Sequence, residues 1–176
     1  MIKNLKLKIK NCSRKGFTLV EMMVIIGILA LISAILIVYI RSGSRQIILF
    51  REQAQVVSIL SRAKYLAIST FGKTGVPCGY GIHFEKPTTF LIFKDIADDC
   101  QTSDLKYSGP QEIQESFQLD STVEFNTLTL SDILFIPPDP SVIITPSQDD
   151  ATIVIKTVGA ENSASIKINI AGQISI

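Results

Sequence analysis

The sequence has no tryptophan, a single histidine and only three cysteines among its 176 residues. It contains no Cys-x-x-Cys pair and no cluster of cysteine with histidine, so we expect no metal site and no other cofactor. His83 lies in an apolar segment, which is typical of a packed or partly exposed strand residue rather than a catalytic base. No Ser-His-Asp set stands out either, so we do not expect an enzyme.

Acidic residues are absent from residues 1–16, a segment that holds six of the 17 basic residues. The six are Lys3, Lys6, Lys8, Lys10, Arg14 and Lys15. Subtracting these six from 17 leaves 11 basic residues against 16 acidic ones in the rest of the chain. That acidic balance opposes a phosphate backbone, so the composition argues against a nucleic-acid partner.

Charge is also absent from residues 22–40, which are mostly apolar. About 20 such residues span a bilayer as a helix. Because the basic residues precede the run, the N-terminus should stay in the cytoplasm and the rest should cross the bacterial inner membrane. Two alternatives are a plain signal anchor and a secretory signal peptide cut near Ser42, Gly43 and Ser44. A secretory signal has a shorter apolar region, of about 7 to 15 residues.

Glu21 places a carboxylate at the start of this apolar helix, directly after Lys15-Gly16-Phe17-Thr18-Leu19-Val20. The simplest interpretation is an interfacial acid that the positive end of the helix stabilises. However, Gly-Phe-Thr-Leu-Val-Glu followed by an apolar run resembles the prepilin leader and cleavage motif of type IV pilins and type II secretion pseudopilins. The resemblance covers residues 1 to about 40.

This resemblance implies that a prepilin peptidase removes residues 1–16 by cutting between Gly16 and Phe17. It implies N-methylation of the new amino group on Phe17 and retention of the apolar helix at residues 17–40. It also implies that Glu21 pairs with the N-terminus of a neighbouring subunit. Such pairing offsets the cost of a lone charge in lipid.

Proline is absent from residues 41–71, and Leu49, Val56, Leu60, Ala63 and Ala67 recur at helical spacing. We therefore predict one helix from Phe17 to about Phe71, whose amphipathic half, residues 41–71, buries this stripe against a domain. The polar residues Arg45, Arg51, Glu52, Gln55 and Arg62 are expected to lie largely off the stripe. Gly43 is the weak point, either a local break or a simple lipid–water boundary.

Residues 72–176 are predicted to form a β-rich domain, since Gly72, Gly75 and Pro77 end the helix. Pro137, Pro138 and Pro140 mark a turn. The strand candidates are residues 80–84, 90–94, 122–128, 133–136, 142–145, 152–157, 164–170 and 173–176. The expected fold is α+β, with the long helix packed on an antiparallel sheet or on two sheets.

The order of features also loosely resembles the H-type minor pseudopilins. The resemblance rests on residues 61–68 at the helix end, on Val-Pro-Cys at 76–78, and on late strands closing at Ala171-Gly172-Gln173-Ile174. That family often has Gly-Arg where this chain has Gly172-Gln173. The basic residue that DNA-uptake relatives would use is therefore missing.

Cys12 belongs to the expected leader, which leaves Cys78 and Cys100 as an even pair in a domain exported to an oxidising space. A disulfide between them is expected, and two unpaired buried thiols are the alternative. Asp98, Asp99 and Asp104 cluster in one loop, but their spacing matches no calcium-binding pattern. We interpret them as solvated loop charges.

The sequence therefore predicts a structural subunit, a minor one, of a type IV pilus-like or type II secretion pseudopilus filament. Its expected partners are the prepilin peptidase, other pilin or pseudopilin subunits, the inner membrane and a protein cargo. The alternative is a signal-anchored exported binding module that does not polymerise.

Overall fold

The computed structural model describes residues 16–71, 77–97, 99–138, 141–159 and 161–176, with only the backbone described at residues 38–42. The chain divides into two units, Met1–Arg41 and Ser42–Ile176. The six basic residues of the expected leader lie outside the described residues. Cys12, Asp98 and Pro140 lie outside them as well.

One α-helix, α1, covers Leu19–Thr70, against a predicted helix from residue 17 to about 71. Its backbone stays helical through Gly43, where the sequence left a local break open. The helix ends in a turn in which the Phe71 N–H donates to the Ile68 carbonyl, at 3.4 Å.

Among the described residues, nine strands and a short 3₁₀ helix follow α1. The strands are β1 Gly79–Glu85, β2 Thr89–Asp95, β3 Ile113–Gln118, β4 Val123–Leu128, β5 Asp132–Ile136, β6 Ser141–Thr145, β7 Asp150–Thr157, β8 Ser163–Asn169 and β9 Ile174–Ser175, and the 3₁₀ helix Pro110–Glu112 precedes β3. They form a five-stranded sheet in the order β3-β2-β1-β5-β6 and a four-stranded sheet in the order β4-β7-β8-β9. Every strand pair is antiparallel. The predicted α+β class and the second sheet are both confirmed.

The main core lies where the second half of α1 meets the inward faces of the two sheets. All five residues of the predicted helix stripe are buried, at 2% exposure or less, so that prediction is confirmed. They join one cluster with alternate strand residues such as Ile82, Ile133, Ile155 and Ile166. Alternation of side chains along each strand explains why every second residue enters this core.

The prediction that Glu52 lies off the buried stripe is wrong, because Glu52 is only 1% exposed. It lies one turn before Val56, so the helix geometry carries it into the buried side. Its carboxylate is satisfied there: Oε1 accepts from the Arg51 guanidinium at 2.9 Å and Oε2 accepts from the Asp120 N–H at 3.2 Å. A buried carboxylate with such partners is a structural link and not a solvated charge.

The prediction of the strands missed β3 and the 3₁₀ helix. In β3 only Ile113 and Phe117 are apolar, and the strand lies at an edge of its sheet with most side chains exposed. An edge strand can keep both faces polar, so the alternation that reveals a strand is weak there.

Candidate processing and assembly site

Gly16 and Phe17 precede α1 and are both exposed, and Phe17 keeps 71% of its surface. A Cβ built on Gly16 meets no atom within 4 Å, so nothing in the described part of the molecule requires glycine at this position. The peptide between the two residues is open to another protein. A requirement for glycine here would come from that other protein, since glycine lets a backbone approach closely.

Thr18 caps the start of α1. Its Oγ1 accepts a hydrogen bond from the Glu21 N–H at 3.2 Å, and its carbonyl accepts from the Met22 N–H at 3.2 Å. Thr18 is therefore the N-cap and Glu21 the third helical residue, an arrangement that satisfies a helix N–H and places an acid near the positive end of the helix. Our sequence reasoning missed Thr18, although the Thr-x-x-Glu spacing before an apolar run is a recognisable capping signal.

The segment that follows, Leu19–Ile37, is long and apolar enough to cross a membrane by length and composition, with a mean hydropathy of 2.8. Within the part of the chain that the structure describes, none of it is buried. Large side chains such as Leu31 and Ile35 are about 70% exposed. A helix that is apolar on all sides and that none of the described residues covers is suited to a surrounding of lipid or of another protein.

Cys78 and Cys100 are joined by a disulfide, with 5.2 Å between their Cα atoms. Cys78 is buried beside the start of β1, and Cys100 is exposed in the loop after β2. This is the pairing that the sequence leads us to expect.

His83 lies on β1 with its Nδ1 2.7 Å from Asp132 Oδ1 on β5. The Ser131 hydroxyl donates to the other oxygen of Asp132, at 2.6 Å. A catalytic serine would have its hydroxyl bonded to the imidazole instead. The cluster is therefore a cross-strand polar contact, and His83 is the partly exposed strand residue that the sequence indicates.

In the acidic loop, the side chains of Asp99 and Asp104 accept hydrogen bonds from residues close to them in the chain. Asp99 Oδ1 accepts from the Gln101 N–H at 3.0 Å, and the Ser108 hydroxyl donates to Asp104. Within the described residues, which omit Asp98, no three His, Cys, Asp or Glu side chains group as metal ligands. The side chain of Gln173, where a basic residue would favour DNA, instead accepts a hydrogen bond at Oε1 from the Asn169 amide at 3.0 Å.

Residues 11–37 match a family model described as the prokaryotic N-terminal methylation motif. The match takes in the Gly16–Phe17 junction, the Thr18 cap, Glu21 and the exposed apolar helix. Neither the comparison with curated proteins nor the comparison with solved structures gave a match. On this motif and on the apolar helix that carries it, the chain fits the type IV pilin-like proteins and pseudopilins, structural proteins that a prepilin peptidase processes.

Proposed function

We propose that this chain is a filament subunit, a minor one, of a type IV pilus-like or type II secretion pseudopilus. Prepilin peptidase cuts it between Gly16 and Phe17, and Phe17 is then methylated. The observation that carries the proposal is the motif match at residues 11–37, which includes an apolar helical segment that no described residue covers. Before assembly the subunit crosses the inner membrane once, with the β-rich domain outside the cytoplasm.

The carboxylate of Glu21 supports the proposed assembly, because the helix start depends on the backbone of Glu21 and not on its side chain. Its backbone N–H donates to Thr18 Oγ1, a bond that any residue except proline could make at position 21. Its carboxylate is exposed on the segment Leu19–Ile37, which carries no other charge, and an isolated charge in lipid costs about 2.5 to 3.5 kcal/mol at mid-membrane. The cationic amine of a neighbour's Phe17 would offset that cost on assembly.

The second half of α1 offers a further surface, here called the outer stripe. It consists of Ile47, Phe50, Ala54, Val57, Ser58, Ser61, Tyr65 and Ile68, none of them charged. Their spacing keeps them within an arc of about 100° on the helix. The arc is centred away from the main core, and only Val57, at one edge of it, also packs against that core. Ile47, Phe50 and Tyr65 are each more than half exposed, so apolar and aromatic surface is presented to solvent.

The outer stripe has the dimensions of a site for another helix. At 1.5 Å per residue it runs for about 32 Å, close to the length of the apolar segment Leu19–Ile37 at about 27 Å. Ala54, Ser58 and Ser61, which lie between Phe50 and Tyr65 along the stripe, have small side chains. A groove of about 380 Å³ lies at Phe50, Ala54 and Ser58, and Ile176 also lines it. We propose that the apolar helix of a second subunit packs here.

The first test of the proposal is processing, measured as the mass of the protein isolated from membranes of its host. Gly16→Leu should leave an uncut precursor, because the peptidase loses access to the backbone. Gly27→Leu is the matched control, since Gly27 also has no atom within 4 Å of a built Cβ, and it should be cut and methylated normally. A mature mass for Gly16→Leu would contradict the proposed cleavage site.

The second test is incorporation into sheared filaments. Glu21→Val should insert into the membrane and be cut normally, yet be lost from filaments because the pairing with a neighbour's amine is gone. Thr18→Val removes the cap but keeps the carboxylate, and it should still be incorporated. Equal incorporation of Glu21→Val and wild type would contradict the pairing and favour an interfacial acid that only the helix N-terminus stabilises.

A further inference from the structure

The five-stranded sheet carries a second apolar cluster on the face turned away from the main core. Leu91 and Phe93 of β2 and Leu134 of β5 form it, each at 5% exposure or less. Gly81 on β1 makes room for it, since a Cβ there would come within 2.5 Å of the Phe93 ring and of the Ile133 carbonyl oxygen. An outer sheet face this deeply buried must be covered by another part of the chain.

Residues 99–109, here called the cover, do this with two side chains. Leu105 and Tyr107 pack on the cluster. The Tyr107 ring lies 5.8 Å from the Phe93 ring and 4.6 Å from the His83 ring, between centroids. No residue of the cover belongs to the main core, so the cover closes a separate and smaller apolar region.

The noncovalent hold on the cover is slight. Its hydrogen bonds run mostly within the segment or to the adjoining 3₁₀ helix, as from Thr102 N–H to the Asp99 carbonyl and from Ser108 N–H to the Glu112 carboxylate. Ser103 reaches further and donates its hydroxyl to Asp95 at the end of β2. Leu105 has φ 56°, a left-handed conformation that is strained for a residue other than glycine. Opening the cover would release that strain.

The Cys78–Cys100 disulfide is the strong fastener. Cys100 lies at the N-terminal end of the cover and is bonded to Cys78. Cys78 is fixed to the sheet because its N–H donates to the Asp95 carbonyl at 2.9 Å. The bridge therefore divides the long connection between β2 and the 3₁₀ helix into shorter loops, and shorter loops cost less entropy to close. Cys100 is exposed, so an external thiol or oxidant can reach the bridge.

We propose that residues 99–109 are a redox-fastened cover: with the disulfide closed they bury the Leu91, Phe93 and Leu134 face, and with the thiols free they detach while the main core stays folded. Closing the bridge removes two electrons and two protons from the two thiols. A disulfide-bearing thiol–disulfide oxidoreductase accepts them and leaves as a dithiol. This switch goes beyond the filament role and does not depend on it.

Site-resolved trypsin cleavage of the full chain in detergent micelles tests the switch. Lys106 is exposed within the cover, and Lys156 on β7 of the other sheet serves as the internal control. Peptide mapping without reductant should first show Cys78 joined to Cys100. Reduction, or the Cys78→Ser/Cys100→Ser pair, should speed the cut at Lys106 about tenfold and leave Lys156 within about twofold, because only the cover opens.

Three other results would overturn the proposal. If reduction speeds both cuts alike, the bridge holds the whole domain together and not the cover. If neither cut changes, the cover does not need the bridge. A third variant, Tyr107→Ala with the disulfide intact, should stay close to wild type at Lys106. If it matches the reduced protein, the ring contacts rather than the bridge fasten the cover.

Discussion

Among single residues, the buried carboxylate of Glu52 ties α1 to the loop between β3 and β4. It accepts the Asp120 N–H and is flanked by the Arg51 guanidinium. The Asp120 carboxylate stabilises this loop, because the N–H and the hydroxyl of Thr122 both donate to it. These hydrogen bonds, with a smaller contribution from the Arg51 charge, lower the pKa of Asp120. One helix residue thus fixes a loop 68 positions later in the chain.

Glu52→Ala should destabilise the domain, because the Asp120 N–H loses a buried acceptor. The expected loss is about 1–3 kcal/mol in the free energy of unfolding by urea. Gln55→Ala is the matched control on the same helix, and a half-exposed side chain there should change the free energy by less than about 0.5 kcal/mol. Equal losses for the two variants would mean that the buried link contributes nothing.

Asp95 gives a pH dependence with a defined sign. Burial raises its pKa above the usual 3.8; the hydrogen bond from Ser103 opposes this, and the charge of Asp104 adds to it. Between 3.8 and the raised pKa, the folded state binds a proton that the unfolded state does not. The contribution of Asp95 to the free energy of unfolding therefore increases as pH falls through that window and decreases as pH rises.

Asp95→Asn should remove this dependence while keeping an oxygen that accepts from Ser103. Wild type should become more stable relative to the variant as pH falls from 7 towards 4. The difference between the two proteins in urea unfolding isolates Asp95 from Asp120, whose lowered pKa acts in the opposite direction. A difference that stays constant with pH would contradict the expected burial effect.

At the scale of elements, α1 carries two opposite faces over the same stretch of chain. One face holds the buried stripe and the other the outer stripe. Periodicity in the sequence predicted the first, because apolar residues recur at 3.6-residue spacing. The second escaped prediction because its small and aromatic members do not form a regular apolar repeat, and only the structure shows that the domain leaves them exposed.

Ala54→Arg should block filament incorporation without unfolding the domain. The substitution places a charge in the centre of the outer stripe, where a neighbouring helix would have to desolvate it. Gln55→Arg, one residue further along, adds the same charge outside the stripe and should be incorporated normally. Arginine is a good helix former, so both variants should unfold at similar urea concentrations. Loss of both from filaments, or of neither, would count against the outer stripe.

The strands show the same division between what a sequence does and does not reveal. β8 alternates Ile166 and Ile168 with Lys167, and its bounds are close to the predicted ones. β2 holds the unbroken apolar run Phe90 to Phe93, which does not indicate which residue faces which side. The cover follows from tertiary contacts of Leu105 and Tyr107, and two apolar residues in a polar loop give no periodic signal.

Over the whole molecule, the main core lies entirely within the unit Ser42–Ile176. A truncated protein beginning near Arg45 should therefore fold, show a cooperative urea transition and be mostly monomeric at micromolar concentration. The outer stripe alone should not sustain assembly without the apolar helix that we propose it binds. Filaments formed by the truncated protein would contradict this, as would failure to fold.

The same truncated protein should not bind DNA, because its charge balance is acidic and Gln173 replaces the basic residue of DNA-uptake relatives. Fluorescence anisotropy with labelled duplex DNA checks this across a range of salt concentrations. Tight binding that weakens steeply with salt would overturn it.

The contact between His83 and Tyr107 has a practical consequence for spectroscopy. The chain has one histidine, so its imidazole protons give one resolvable set of signals in a proton NMR spectrum. The Tyr107 ring, centred 4.6 Å away, should displace those signals by its ring current. Detachment of the cover would return these signals towards the frequencies of free histidine. The His83 signals would therefore report the oxidation state of the Cys78–Cys100 disulfide without any added label.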